Sequence, residues 1–148
     1  MNTSRPADLN MIEATYADDP TMRVRFNWPV FAGTGAASSS VVYGEIESGH
    51  RLGMHQDSAE EVLLILEGTA EATVGDESRQ LEAGQLAVIP ALTAHGLANV
   101  GRGRLRYFGF FPSATSVAIF DRPLMPINER VVGSPDWMQA RGLLAPRH

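Results

Sequence analysis

The sequence predicts an all-β fold: one domain closed as a barrel, with a short helical or coil tail. Three observations predict it. From Met22 onward, short runs of valine, isoleucine, leucine and aromatic residues recur between glycine, proline, aspartate and asparagine breaks. No stretch between residues 22 and 120 sustains the i, i+3, i+4, i+7 spacing of an amphipathic helix. The chain of 148 residues is long enough for one domain with its own core.

The elements follow in order. Residues 1–20 are polar and carry the breaker Asp18-Asp19-Pro20, so they read as a loosely ordered arm with one strand at most. Strands are then expected at Val24–Trp28, Val41–Glu47, Arg51–His55, Glu61–Leu66 and Thr69–Val74. Further strands are expected at Ser78–Leu81, Leu86–Ile89, Gly96–Val100, Leu105–Phe111 and Val117–Phe120. Gly75-Asp76 reads as a hairpin turn, and Gly68 and Gly84 fall where tight turns are needed. Gly33 to Ser40 is a small-residue loop, expected to be mobile and near the mouth of a site. The tail, 123–148, is rich in proline and arginine, and Pro135-Asp136 can start a short helix through Trp137, Met138 and Leu143. No composition shift marks a boundary, so residues 1–148 are read as one domain.

Composition removes several function classes. The net charge of -5 argues against nucleic acid as a partner, since that needs a basic face. No run approaches the about 18 apolar residues of a membrane span. The N-terminus has no apolar leader, so a cytoplasmic location is expected. Cysteine is absent, which excludes disulfides, thiolate ligands and a thiol nucleophile. Lysine is absent too, because all 12 basic residues are arginine. Schiff-base chemistry is therefore unavailable from side chains. An enzyme with this composition leans on a metal, histidine, carboxylates or hydroxyls.

Two glycine-anchored segments supply such groups. Gly49 to Gly68 holds His55, Asp57 and Glu61, and Gly84 to Asn99 holds His95. Imidazole and carboxylate together suit iron, manganese, nickel, copper or zinc. Residues i and i+2 of a strand share a face, which is the spacing of His55 and Asp57. A short turn through Ser58-Ala59 can fold Glu61 back beside them. A closed barrel is expected to bring the His95 segment face to face with the first.

The paired segments resemble the two motifs of the cupin superfamily. In the first, Gly49 is followed after five residues by His55, Gln56 and Asp57, then after three by Glu61, and after six by Gly68. In the second, Gly84 is followed after five residues by Pro90, Ala91 and Leu92, then after two by His95, and after three by Asn99. The match covers about residues 40–112. The family's second histidine is Asp57 here, and the glycine of its second motif is Leu92. The resemblance implies a jelly-roll, or double-stranded β-helix, barrel. It implies that His55, Glu61 and His95 are metal ligands, with Asp57 at a ligand position bearing a different donor. Either all four bind, or one carboxylate stays free as an acid or base. Two carboxylates neutralise a divalent ion and suit harder ions such as manganese or iron. The resemblance also implies a homodimer.

Other residues carry weaker expectations. His50 and His148 read as surface or hydrogen-bonded histidines. Arg102, Arg104 and Arg106 read as the solvent face of a strand. Tyr43 and Glu45 share a face, either toward the cavity or toward water, and Tyr43 is a candidate proton-transfer group beside Asp57. Phe26, Trp28 and Phe31 are expected in the core or at a dimer interface. Tyr107, Phe108, Phe110 and Phe111 read as a strand buried on both faces, half of them cavity-lining. The expected function is a metal-dependent enzyme binding one divalent ion, Fe(II) first, with Mn, Ni or Zn as alternatives. Its expected chemistry is that of a non-haem iron dioxygenase acting on a small organic substrate. The alternatives are a non-oxidative lyase, isomerase or cyclase, and a non-catalytic small-molecule-binding protein.

Overall fold

The structure, a computed structural model, describes residues 1–144. The reading of His148 therefore lies outside the described residues. The strands are β1 Ile12–Tyr16, β2 Asp19–Val30, β3 Ser40–Ile46, β4 Arg51–Asp57, β5 Glu61–Glu67 and β6 Thr69–Val74. They continue as β7 Glu77–Glu82, β8 Leu86–Ile89, β9 His95–Asn99, β10 Leu105–Phe111, β11 Val117–Leu124 and β12 Glu129–Gly133, and one helix, α1, spans Pro135–Ala140. Every expected run overlaps one of these strands. Among the described residues, no helix is long and apolar enough to cross a membrane.

Hydrogen bonding sorts the strands into two facing sheets. One runs β1-β2-β3-β10-β5-β8, and the other runs β12-β11-β4-β9-β6-β7. The long β2 joins them through a parallel bridge between Met22 and Arg51. The result is a nearly closed barrel. Its inner layer is chosen by two-residue alternation. In β5, Glu61, Leu63 and Ile65 are buried, while Val62 and Leu64 are only half-buried on the other face. In β10, Leu105, Tyr107, Gly109 and Phe111 point inward. Met22, Ile46, Ile65 and Leu105 are fully buried, each contributing about 2 kcal/mol by area burial.

The arm carries the one strand allowed for it, and that strand is well held: β1 pairs with β2 from Ile12↔Phe26 onward, and Ala14 and Tyr16 are buried. Two expectations are corrected. The tail is not coil up to its helix, because β12 pairs with β11 before α1 begins. Val131-Val132 is too short a run between polar neighbours to show a period, so only pairing reveals that strand. Phe110 is also exposed, so β10 is not buried on both faces. The Gly33–Ser40 segment opens with a single 3-10 turn, Ala32–Thr34, tied down by Ala32 N–H donating to Ala114 O.

The turn glycines are explained by backbone conformation. Gly49, Gly68 and Gly84 all have positive φ. Leu92 also has a φ of 63°, so the chain keeps the left-handed turn without the glycine that favours it.

Candidate metal centre

Strand pairing assembles the site. His55 on β4 and His95 on β9 are direct Cα partners in an antiparallel pair, with a register shift between Leu52 and His55. The two histidines thus meet side by side across one strand pair, not across the barrel as expected. Glu61 comes from the facing sheet, on β5. His55, Asp57, Glu61 and His95 are all buried. Alternation along β4 places His55 and Asp57 inward and Gln56 outward.

Each ring is aimed by its own backbone. His55 Nδ1 lies 2.8 Å from Gly53 O, and His95 Nδ1 lies 2.8 Å from Thr93 O. A carbonyl only accepts, so Nδ1 carries the proton in each neutral ring and Nε2 presents a lone pair to the interior. Phe120, the Cα partner of His55 on β11, stacks on its ring at 4.6 Å between centroids. Such outer partners orient ligands in metal sites generally. The sequence pattern does not mark Gly53, Thr93 or Phe120, because their role depends on register.

The donors converge. His95 Nε2 lies 2.9 Å from Asp57 Oδ2 and 3.3 Å from Glu61 Oε1, and His55 Nε2 lies 3.9 Å from Asp57 Oδ2. One donor atom from each of His55, Asp57 and His95 falls within 4.8 Å of the others. Asp57 Oδ2 and His95 Nε2 are nevertheless buried without a hydrogen-bond partner among the described residues, being close but misaligned. Two inward lone pairs at that separation repel unless a cation lies between them. The donor set fits a metal ion, and those two unsatisfied atoms are the observation that says so.

The charges respond to this crowding. Burial, reinforced by the charge of His95, lowers the His55 pKa to about 4. Burial also opposes charge on His95, but the Asp57 and Glu61 carboxylates outweigh it and raise its pKa to about 10. Burial, together with the charge of Asp57, raises the pKa of Glu61. Without a metal, a proton on His95 plays the cation. Glu61 Oε2 lies against Gly109, where a β-carbon would stand only 2.0 Å away. Glycine at that point of β10 is what gives the carboxylate its space.

The site opens into a cavity of about 80 Å³. Phe26, Trp28, Tyr107, Phe111 and Phe120 give its aromatic walls. Phe26 and Trp28 are therefore cavity walls, packed edge to face at 5.5 Å, and Phe31 is not among the lining residues. Tyr43 is corrected. It lies on the opposite face of β3 from cavity-lining Val42, donates to Glu45 Oε2 at 2.8 Å and accepts from Arg106 Nε at 2.7 Å. Tyr43 and Glu45 do share a face, but it is the outer one. Arg104 and Arg106 lie on that side too, paired with Glu45 and Glu67. His50 stands outside the cluster, half-buried. Asn99 is structural: its side chain donates to Ile46 O and Gly103 O. Of the four aromatics of β10, Tyr107 and Phe111 line the cavity, the half expected to, and burial beside Glu61 and Asp57 keeps the Tyr107 phenol protonated.

Known proteins agree with this architecture. Residues 42–111 match the family model described as Cupin domain. Among solved structures, the chain resembles an oxalate decarboxylase mutant of Bacillus subtilis at 15% identity and a TM-score of 0.65, covering 79% of this chain and 31% of that one. This chain thus spans about a third of that enzyme, which contains Mn(II) centres. It resembles a putative sugar phosphate isomerase of Acidithiobacillus ferrooxidans at 16% identity, TM-score 0.60, covering 77% of this chain and 75% of that one. It also resembles the polyketide cyclase RemF of Streptomyces resistomycificus at 17% identity, TM-score 0.62, covering 76% and 79%. Identities this low show a shared fold. No curated protein matches the sequence.

Proposed function

Because residues 42–111 form a cupin domain, we propose that this chain is a metal-dependent enzyme acting without oxygen on a small organic molecule, as a lyase, isomerase or cyclase. The observation that carries the reading is the cluster of His55, Asp57 and His95 at the base of an apolar cavity, with Glu61 beside it. The three clustered residues would hold a divalent ion, and Glu61 stands either as a fourth ligand or as the group that moves a proton. A bound ion would act as a Lewis acid on a substrate oxygen. The apolar walls exclude water and orient the substrate body. The neighbours named as decarboxylase, isomerase and cyclase lend support at the level of fold.

A second reading is an iron dioxygenase. It is favoured by the two-histidine, one-carboxylate composition of the cluster, which leaves positions for oxygen and substrate. Elemental analysis with Fe(II)-dependent O₂ uptake separates the two. Anaerobic turnover tolerant of Mn, Ni or Zn supports the first, and turnover that stops without O₂ replaces it with the second. His55→Ala should lose metal by more than the roughly 10–100-fold typical of outer-shell changes. Full metal retention by that variant sinks both readings. Glu61→Gln should keep metal but lose rate if Glu61 moves protons, and should lose both if it is a ligand.

A further inference from the structure

The cavity's lining says what kind of molecule it takes. Among the described residues, no arginine lines it, and the chain has no lysine. Eight arginines are instead engaged at the outer surface in ion pairs, from Arg5 with Asp8 to Arg122 with Asp18. The charged groups facing the cavity are the carboxylates Asp57 and Glu61 and the two histidines of the cluster. Two carboxylates already balance a divalent ion, so an anionic ligand would find no net positive charge to offset its desolvation. Away from the cluster the walls are aliphatic and aromatic.

Two hydroxyls interrupt that apolar surface. Tyr107 is 4% exposed, and its phenol makes no hydrogen bond among the described residues. Its ring crosses over Gly44, its Cα partner on β3, where a β-carbon would stand 2.3 Å from the phenol oxygen. Ser116 is also buried and accepts from Trp28 Nε1 at 3.0 Å, which leaves its own proton without an acceptor. Neither hydroxyl donates to an acceptor among the described residues, and both residues line the cavity, so a ligand or water there can accept from them.

We propose that the cavity binds a small neutral oxygenate with an apolar body, such as a phenol, enol or cyclic ketone, and that Tyr107 donates a hydrogen bond to its oxygen. The inference deepens the proposed function and rests on its assignment of this cavity as the substrate site. It sets the chain's substrate apart from a dicarboxylate or a sugar phosphate, which need cationic or many polar partners. Tyr107 takes the hydroxyl role expected of Tyr43.

The test uses three probes built on one ring: p-cresol, toluene and benzoate. Each is titrated calorimetrically into metal-free and Mn(II)-loaded protein. Both neutral probes should bind, p-cresol the tighter, and benzoate should bind more weakly than either. Tyr107→Phe should weaken p-cresol roughly five- to tenfold, the worth of one hydrogen bond, and leave toluene unchanged. Tightest binding by benzoate, or no binding by either neutral probe, overturns the substrate class. An equal loss of both neutral probes in Tyr107→Phe, or a loss of neither, overturns the role of Tyr107. The metal reading fails separately: His55→Ala that keeps its metal removes the catalytic proposal while the metal-free probe result stands.

Discussion

His55 and His95 are neighbours in one site, yet their surroundings push them in opposite directions. The His55 pKa falls from 6.5 to about 4, so below pH 6.5 the unfolded chain binds more protons and stability drops as pH falls toward 4. The His95 pKa rises from 6.5 to about 10, so its contribution is complete below 6.5 and is lost as pH rises through 10. Between them the two histidines place the stability maximum of the metal-free protein near pH 6.5, and the raised pKa of Glu61 adds to the decline on the alkaline side. Urea unfolding across pH measures this, and His95→Ala should reduce the alkaline limb. A wild type whose stability stays level from pH 7 to 10 contradicts the assignment. A bound ion takes the place of the His95 proton, so metal should reverse the alkaline decline.

At the scale of elements, the loop before β9 and the edge strand β8 make the clearest predictions. Leu92 holds a left-handed conformation that costs an ordinary residue about 1–2 kcal/mol, and it is 67% exposed, so its side chain supplies little packing in return. Its amide donates to Asp57 O at 2.9 Å, which ties this loop to the metal strand. Leu92→Gly should keep that bond and raise stability by roughly 0.5–1 kcal/mol after glycine's own entropy cost. A lower urea midpoint in the variant would argue that the turn gains something from leucine. On the barrel's outside, Leu86 and Val88 of β8 are more than half exposed, and register places them beside Leu64 and Val62, which adjoin Phe108 and Phe110. Among the described residues, this apolar face ends in a strand edge that pairs only with β5. It is the face suited to the homodimer implied by the family resemblance. Sedimentation equilibrium should give twice the chain mass, and Val88→Asp should return it to one. A monomeric wild type discards the pairing.

For the whole molecule, metal and fold should be linked, because His55, Asp57 and His95 come together only when β4 pairs with β9. An ion bound by His55, Asp57 and His95 stabilises the folded chain by about 2.7 kcal/mol at a hundredfold excess over its Kd. For a chain of this length that raises Tm by roughly 5–10 °C. Calorimetry with Mn(II) or Fe(II) checks it, and His95→Ala should abolish the rise. An unchanged Tm in the wild type would mean that the cluster does not hold the ion. Much of this architecture was legible in the chain itself. The β class, the ten central strands and the donor spacing of His55, Asp57, Glu61 and His95 follow from local periodicity and turn residues, which act over a few positions. The remainder was not legible for a physical reason. Alternation says that Tyr43 shares a face with Glu45, and Tyr107 with Phe111, but not which face meets the interior. A shift of one residue in pairing would exchange them. Only the register between β3, β10 and β5, set by packing of distant segments, put Tyr107 inside and Tyr43 outside. The same long-range pairing set His55 beside His95 and drew β12 out of an unpatterned tail.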